Sequence, residues 1–343
     1  NLTMKNHLYN VARSITDVFN VGDNNIWLDI ASNDGTLLSF VPERCTRIGI
    51  DPCDDSFKTE AEKHANVIIQ DYFSAEVYKK ETSQKASVVT CISMFYDLED
   101  PDTFLRDVYE ILDGNGLFVI QLSYTPLMLS QMAFDNICHE HFFYYSLFNI
   151  KVLLERNGFQ IMDCQLTDCN SGSFLIYIMK QDADTSKFGT QPYRDVCQFR
   201  VNSILEYEKT LKLDDAQTWM DFFNRINWLK ARTVKFIKEA VADGKVVYGY
   251  GASTKGNTLL QYFGLDNTLI TAIADRSPYK HRLRTIGTNI PIISEAEMRE
   301  KQPDYLLVMP YHFIKEFKER ESEYLNKGGK MIVTSPRFLI IEK

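Results

Sequence analysis

Two of the six histidines in this chain flank a single glutamate, in the run Cys138-His139-Glu140-His141. An imidazole, with an ordinary pKa near ~6.5, can take a proton from a substrate at neutral pH. A glutamate beside it can orient the ring or bind a hydroxyl group. These residues favour acid–base catalysis, with structural hydrogen bonding and a metal site as alternatives. Against a metal site, the run does not have the HExxH spacing of zinc-binding helices, and no third ligand lies near it in the sequence.

A second group of candidates follows the first predicted strand, in the run from Asp29 to Thr36. Small residues let a ligand approach the backbone, and the start of the next helix offers free N–H groups. Asp51 ends the second strand, where a carboxylate can bind both hydroxyls of a ribose. GxGxxG is not matched, and an aspartate on the strand suits the cationic methionine end of S-adenosylmethionine better than a pyrophosphate. The pattern favours S-adenosylmethionine over a dinucleotide, with a plain α/β turn as the alternative; the candidate cofactor-binding residues are Asp29, Ala31, Asn33, Gly35 and Asp51.

Two further strand ends extend this predicted cofactor site. Asp71 and Tyr72 follow the third predicted strand, where an acid and an aromatic ring can meet the adenine amino group and ring face. Met94 and Phe95 follow the fourth strand, where the methionine end of the cofactor is expected. A surface turn and core packing are the alternatives for these residue types.

A second loop of this kind runs from Gly249 to Asn257, between another predicted strand and helix. Small residues, a lysine and a helix N-terminus coincide there, which suits a diphosphate, although the Walker A spacing is not matched. A nucleoside would meet the end of the following strand, and a later strand end faces the same predicted cleft. The alternative is a structural α/β domain without a ligand. The candidate binding residues are Tyr250, Gly251, Ala252, Lys255, Asn257, Asp275, Arg276 and His312.

Alternating strands and helices must position these residues. The first half predicts five strands, at 26–30, 47–51, 66–69, 86–92 and 117–122. An irregular stretch over 123–146 carries the histidines. A helix over 147–157, ended by Gly158, then precedes two strands at 160–166 and 173–179. This order predicts the seven-strand sheet of a class I methyltransferase rather than a dehydrogenase domain.

The second half begins with a mostly helical stretch, followed by a second α/β unit. Its predicted strands end near 251, 275, 309 and 334, with a helix over 253–262. We therefore predict an S-adenosylmethionine-binding domain at 1–183, a helical connector at 184–243 and a Rossmann-like domain at 244–343.

Composition limits the other possibilities. The net charge of the 343 residues is −8, which argues against a nucleic-acid partner. No apolar run reaches the ~18–20 residues of a membrane span, and no signal peptide is recognisable. The seven cysteines include no CxxC, and their odd number favours a reducing compartment. We expect a cytoplasmic protein, with a monomer favoured and no metal. Because the chain starts with Asn, we also expect residues upstream of it to be missing.

In this order, the motifs resemble the sugar C-methyltransferases that act on nucleotide-linked 4-keto-deoxysugars. The similarity extends from about Thr3 to Ile341. The stretches that carry it are LDIASNDGTL at 28–37, MFYDLEDP at 94–101, FDNICHEH at 134–141, YYS at 144–146, GYGA at 249–252 and KGNT at 255–258.

The resemblance implies a methyl-donor domain followed by a Rossmann-like domain that holds the nucleotide sugar. It implies proton removal at C3, beside the C4 carbonyl, and attack of the enolate on the donor methyl group. His141 matches the base of the family and Glu140 its sugar contact, while His139 assists or is structural. Further substrate contacts implied by the resemblance are Cys138, Tyr145, Asn170 and Ser173. A dinucleotide-dependent oxidoreductase or epimerase, and a non-catalytic binding module, are the alternative functions.

The chain also departs from the family pattern. The Cys-rich zinc module found at the N-terminus of family members has no counterpart in these residues, and Tyr9 is a weak match for an expected active-site tyrosine. Some members carry Tyr in place of Cys138, and Tyr311 stands where Trp is expected. These differences concern the identity of the sugar more than the type of reaction.

Overall fold

A computed structural model of the protein describes residues 2–169 and 172–343. The chain forms two compact units. Unit 1 comprises Asn1–Pro126 and Phe142–Leu211, and unit 2 comprises Leu127–His141 and Lys212–Lys343. This division differs from the predicted domains, because the segment that carries the histidines groups with unit 2. The ring of Phe134 stacks on Phe263 of that unit, with centroids 5.3 Å apart, and apolar packing of this kind holds the segment there.

Unit 1 is built on one seven-stranded sheet. Its strand order is β3-β2-β1-β4-β5-β7-β6, and β7 alone runs antiparallel to its neighbours. The strands are β1 (Ile26–Ile30), β2 (Thr46–Ile50), β3 (Val67–Ile69), β4 (Ala86–Ile92), β5 (Leu112–Ser123), β6 (Phe159–Thr167) and β7 (Ser173–Lys180). This order confirms the predicted class I methyltransferase sheet. The order reverses between β1 and β4, and the carboxyl ends of strands at such a switch point form a binding crevice.

Helices of unit 1 connect these strands. They are α1 (Leu2–Val18), α2 (Asp55–Ala61), α3 (Ala75–Glu81), α4 (Pro101–Ile111), α5 (Thr125–Ser130, which ends in unit 2), α6 (Leu147–Arg156) and α7 (Gln191–Leu211). Side-chain caps fix their starts: Asp100 accepts from the backbone N–H of Thr103 in α4, and Ser146 accepts from that of Asn149 in α6. Gly158, with φ of 81°, follows α6 as predicted.

The stretch over 123–146, predicted as irregular, contains two short helical elements. These are α5 and a single turn of 3₁₀ helix at Phe134–Asn136. The prediction did not include these two short elements, and the rest of the stretch after the end of β5 is irregular apart from an isolated bridge between Tyr124 and Tyr145. Pro126 in the first turn of α5 is pre-organised for helix and lacks an N–H that would need a partner, so it favours this start.

Unit 2 contains a second, six-stranded sheet in the order β10-β9-β8-β11-β12-β13, parallel except for β13. Its strands are β8 (Val247–Tyr250), β9 (Ile273–Asp275), β10 (Ile292–Ser294), β11 (Tyr305–Val308), β12 (Lys330–Val333) and β13 (Leu339–Ile341). Its helices are α8 (Ala216–Ala242), α9 (Thr254–Phe263), α10 (Glu295–Lys301), α11 (Ile314–Arg320) and α12 (Ser322–Asn326). The Rossmann-like prediction is confirmed, with a switch point between β8 and β11. Within the described ranges, no helix is both long and apolar enough to cross a membrane.

Candidate active site

A cavity of about 480 Å³ opens at the carboxyl ends of β1, β2 and β4 in unit 1. The structure brings five of the predicted cofactor-binding residues into its wall: Asp29, Ala31, Asn33, Asp51 and Met94. These residues come from three strands and their loops, and they meet because parallel strands end at the same edge of the sheet.

The loop after β1 is shaped by its own backbone. Asn33 donates its N–H to Asp51 Oδ2 at 2.8 Å, which ties the loop to the end of β2. The other oxygen of Asp51 accepts from the N–H of Cys53 at 2.9 Å. A carboxylate oxygen can accept more than one hydrogen bond, so Asp51 keeps the capacity to bind a ribose. Gly35 has φ of 71°, and a Cβ there would lie 2.8 Å from Ala61 Cα, so a side chain cannot replace it without strain.

Asp29 is a buried acid that lines this cavity. Its Oδ1 accepts from Thr90 Oγ1 at 2.6 Å. Burial, with a smaller contribution from the charge of Asp51, raises the pKa of Asp29 to about 7, although the Thr90 hydrogen bond opposes the shift. A buried carboxylate is stabilised when a cation binds beside it, so this position fits the positive methionine end of S-adenosylmethionine.

Besides Gly35, three further predicted cofactor residues do not line the cavity. Tyr72 is 76% exposed and Asp71 is exposed beside it. Phe95 is buried, and its ring lies edge-on to Phe104 at 5.6 Å. The structure therefore assigns Phe95 to the core and the other two to the surface.

Of the substrate contacts implied by the resemblance, two lie in unit 1 as buried residues. Tyr145 packs against Phe95 at 5.6 Å, and Ser173 donates from Oγ to the carbonyl of Cys169 at 2.9 Å. Asn170 lies outside the described residues. Tyr9, the weak tyrosine match, is exposed and contacts Phe40 edge-on at 5.5 Å.

The contribution of α1 to the cavity was not predicted from the sequence. Met4, Lys5 and Leu8 of this helix also line the cavity. The apolar positions Val11, Ala12 and Ile15 are buried, so the helical spacing of α1 from Leu8 onward was the signal that could have predicted it.

In unit 2, the run around the histidines is only partly enclosed. His139 and Glu140 are exposed, whereas Cys138 and His141 are half-buried. Burial, reinforced by the charge of Lys255, lowers the pKa of His141; a hydrogen bond to the backbone carbonyl of Asn136 and the charge of Glu140 act in the opposite direction. At pH 7 the imidazole is therefore neutral, which leaves one ring nitrogen able to accept a proton.

The same lysine influences two other groups of unit 2. Burial and Lys255 lower the pKa of His312 to about 3, so this ring is also neutral. Burial raises the pKa of Asp135 to about 6, and Lys255 opposes that shift. Lys255 thus acts electrostatically on both His312 and His141.

Asp135, Asn136 and Tyr311 were missed as site residues. The hydroxyl of Tyr311 donates to Asp135 Oδ1 at 3.2 Å. Asp135 Oδ2 and both amide atoms of Asn136 are buried without a hydrogen-bond partner among the described residues. An acid and an amide inside the apolar run from Met132 to Ile137 were the available signal, because buried polar groups are normally paired.

The loop after β8 is tied in the same manner as the first loop. Ala252 donates its N–H to Asp275 Oδ2 at 2.7 Å, and Ser277 donates to Asp275 Oδ1 at 2.8 Å. Lys280, which the sequence analysis did not select, donates from Nζ to the carbonyl of Ala252 at 2.6 Å. Gly251 has φ of 87°, and a Cβ there would lie 2.6 Å from Pro310 Cγ.

Other residues predicted around this loop have different surroundings. Tyr250 is buried, and its hydroxyl oxygen lies 2.7 Å from Glu321 Oε1 and 2.9 Å from Glu295 Oε1, so the structure assigns it to the core. Arg276 is exposed and Asn257 is half-buried. Within residues 2–169 and 172–343, no group of three or more His, Cys, Asp or Glu side chains is arranged to hold a metal ion.

The sheet order and the acidic cavity of unit 1 define an S-adenosylmethionine-dependent methyltransferase. Residues 5–163 match the family described as a methyltransferase domain. The chain is therefore an enzyme with S-adenosylmethionine as its cofactor, and the dinucleotide alternative is set aside. Residues 168–336 match the family described as a C-methyltransferase C-terminal domain. This match supports methylation of a carbon atom as the reaction of the enzyme.

Comparison with individual proteins gives the following similarities. The chain is 28% identical over 322 residues to the C-methyltransferase NovU of Streptomyces niveus, covering 93% of this chain and 74% of that protein. Among solved structures, it resembles the magnesium protoporphyrin IX methyltransferase of Synechocystis PCC 6803 with bound SAM (TM-score 0.40, 11% identity, 52% of this chain and 80% of that one). It also resembles the N-methyltransferase NodS of Bradyrhizobium japonicum WM9 (TM-score 0.38, 13% identity, 52% and 94%).

Proposed function

We propose that this enzyme methylates C3 of a nucleotide-linked 4-keto-deoxysugar and that His141 is the base that removes the C3 proton. The observation that carries the proposal is the half-buried position of His141 in the same unit as Lys255: burial, and after it the charge of Lys255, lowers the pKa of the imidazole. The resemblance of the run 134–141 to the sugar C-methyltransferases supports the same assignment.

His141 has the properties that a carbon base needs. Its neutral ring accepts a proton, and its hydrogen bond to the carbonyl of Asn136 fixes the orientation of the ring. The nearby ammonium of Lys255 favours negative charge in the same region, so it would stabilise an enolate more than the uncharged ketone. Glu140 is exposed and available to bind a sugar hydroxyl.

The proposed steps balance as follows. The C3–H bond breaks, its proton goes to the free ring nitrogen of His141, and its electron pair delocalises onto the C4 oxygen. The methyl donor supplies an electrophilic methyl group bound to a positively charged sulfur. C3 then forms the new carbon–carbon bond while the sulfur keeps the electron pair of the bond that breaks. His141 afterwards releases the proton to water.

The loop after β8 is our proposed binding site for the nucleotide diphosphate. It combines the start of α9, where Ser253 caps the helix by accepting from Gly256 at 3.0 Å, with the positive charge of Lys255. Backbone N–H groups at a helix start and a lysine are a common phosphate-binding combination. Asp275 already accepts two backbone N–H groups, so we assign it the role of shaping this loop.

We further propose that the enzyme works in the cytoplasm as a monomer, with the nucleotide sugar as its partner and no nucleic acid. All seven cysteines are free thiols, which fits a reducing compartment. The net charge of −8 opposes binding to nucleic acid.

The experiment is incubation with S-adenosylmethionine and a thymidine-diphosphate 4-keto-6-deoxyhexose, followed by mass spectrometry of the sugar nucleotide. We expect a gain of one methylene mass. In deuterium oxide, with the donor omitted, we expect deuterium at C3. His141→Ala should lower turnover by about 10²–10⁴-fold, while S-adenosylhomocysteine still binds. His64→Ala, at a half-buried histidine of unit 1, is the matched control. Wild-type turnover in His141→Ala would exclude His141 as the base.

A further inference from the structure

The donor cavity of unit 1 has a strongly uneven distribution of charge. Four carboxyl groups line it, those of Asp29, Asp34, Asp51 and Asp97. Lys5 is the single cationic side chain among its described lining residues. No salt bridge or hydrogen bond joins the Lys5 side chain to another described residue.

S-adenosylmethionine carries charges of both signs. Its sulfonium, its ammonium and its ribose hydroxyls are all suited to carboxylates. The carboxylate of its methionine end is not suited to them, because the four acids that line the cavity would repel a further negative charge. A bound carboxylate in this cavity therefore needs a cation, and Lys5 is the residue that offers one.

Contacts of α1 place Lys5 on the side of the cavity where the methionine end is expected. His7, two residues further along, is hydrogen-bonded through Nε2 to Oε1 of Gln121 on β5 at 2.6 Å. Gln121 is buried, and its Nε2 lies 3.5 Å from the hydroxyl of Ser93, which follows β4 and lines the cavity. Asp51, at the ribose end, follows β2, which lies on the other side of β1 in the sheet. The sheet order thus separates α1 from the ribose end.

Met4 and Leu8 line the same cavity and lie four residues apart, so they share one face of α1 with Lys5 at its edge. This face offers two apolar side chains and one ammonium. An amino-acid end with a carboxylate and a carbon chain matches that combination.

We infer that Lys5 binds the carboxylate of the methionine moiety and that α1 forms the wall of the donor site at that end. Lys5 thereby makes the enzyme selective for donors that keep the carboxylate. The acids of the cavity would bind the ammonium and the ribose equally well in a donor that has lost it.

The test compares two ligands that differ only in that group. Calorimetry measures the Kd of S-adenosylhomocysteine and of its decarboxylated analogue for the wild type, Lys5→Gln and Lys5→Arg. Arg13→Gln is the matched control, because Arg13 lies on the same helix and pairs with Asp17 at 3.7 Å, away from the cavity lining. Thermal denaturation without ligand checks that each variant is folded.

Lys5→Gln should weaken S-adenosylhomocysteine by about 10- to 100-fold and leave the analogue within about 2-fold, since one charge-assisted contact is lost. Lys5→Arg should restore most of the affinity, and Arg13→Gln should change neither ligand. An equal loss for both ligands would make Lys5 a structural residue and overturn the inference, as would no loss for either. These measurements involve no sugar, so their failure is distinct from failure of the proposed substrate.

Discussion

The loops after β1 and β8 share a backbone arrangement but differ in charge. In each, an aspartate at the end of the neighbouring strand accepts a loop N–H: Asn33 donates to Asp51 at 2.8 Å, and Ala252 donates to Asp275 at 2.7 Å. In each, the second carboxylate oxygen accepts an N–H two residues further on. The same hydrogen bonds therefore build both loops, and they do not select the ligand.

Side chains outside those hydrogen bonds make the difference. The first loop starts from Asp29 on its strand, where the second has Gly249. The second loop gains Lys255 and also Lys280, whose ammonium lies 3.6 Å from Asp275. One loop suits a positively charged ligand and the other a phosphate, so ligand choice in these α/β units is carried by a few charges on a common frame.

The largest expected effect comes from removing the acid of the first loop. Asp29→Asn keeps the shape and an acceptor for Thr90 but loses the negative charge. We expect S-adenosylmethionine affinity to fall by about 30- to 1000-fold, as for other buried charge pairs that lose one partner. Binding of thymidine diphosphate should stay unchanged, with calorimetry as the measurement and Asp17→Asn, at an exposed aspartate of α1 outside the cavity lining, as the control. Equal losses of affinity for both ligands would contradict the conclusion that the charge of Asp29 acts on the first loop alone.

The reciprocal change is Lys255→Gln in the second loop. Thymidine diphosphate should bind about 10- to 30-fold more weakly, since a phosphate contact to a cation is lost, while S-adenosylhomocysteine binding stays constant. Lys255 lowers the pKa of His141, so its removal raises that pKa. The acidic limb of the kcat/KM profile should then move to higher pH, because the base becomes protonated earlier as pH falls. If the acidic limb stays at the same pH, the charge of Lys255 does not influence the pKa of His141.

A pH titration of donor binding tests Asp29 without any mutation. The carboxyl, with its pKa of about 7, is protonated below that pH and must lose its proton to pair with a cation. S-adenosylmethionine affinity should therefore be constant above pH 7 and fall by about 10-fold for each pH unit below it. Thymidine diphosphate should not show this dependence, and Asp29→Asn should abolish it. A flat profile in the wild type would contradict the proposed pairing.

The smallest effects are expected from the glycines that let the two loops turn. Gly35→Ala and Gly251→Ala place a Cβ at positive φ, 2.8 Å from Ala61 and 2.6 Å from Pro310 respectively. Each should lower the free energy of unfolding by about 1–2 kcal/mol in urea denaturation. The first should reduce thermal stabilisation by S-adenosylhomocysteine alone, and the second that by thymidine diphosphate alone. Crossed effects would show that the loops are not independent.

The sequence predicted those features that depend on local pattern. The bounds of β1 and β4 coincide with the predictions, because their apolar runs end at turn residues. Asp29 and Asn33 were predicted as cofactor-binding residues because an acid lies near the end of a strand and small residues follow that strand. A strand of three residues, such as β10 or β13, carries too little pattern to predict.

The remaining features depend on contacts between residues distant in sequence. The roles of Tyr250 and Phe95 in the core are decided by Glu321 and Phe104, which lie far along the chain from them. Lys5 joins the cavity wall only because α1 packs where it does. Asp135 belongs to the run 134–141 that carries the family resemblance. Nothing in the neighbouring sequence indicated that Tyr311 donates a hydrogen bond to it.

The two units are interleaved along the chain, and this limits how recombination can exchange parts of the protein between related genes. Leu127–His141 is encoded inside the sequence of unit 1 but folds with Lys212–Lys343. A recombination that exchanged only the C-terminal halves of two relatives would bring in a new Lys255 and leave the old His141 behind. Such a chimaera would combine a proposed base and a lysine that never evolved together. We therefore expect that a functional exchange has to transfer two separate pieces of the gene at once.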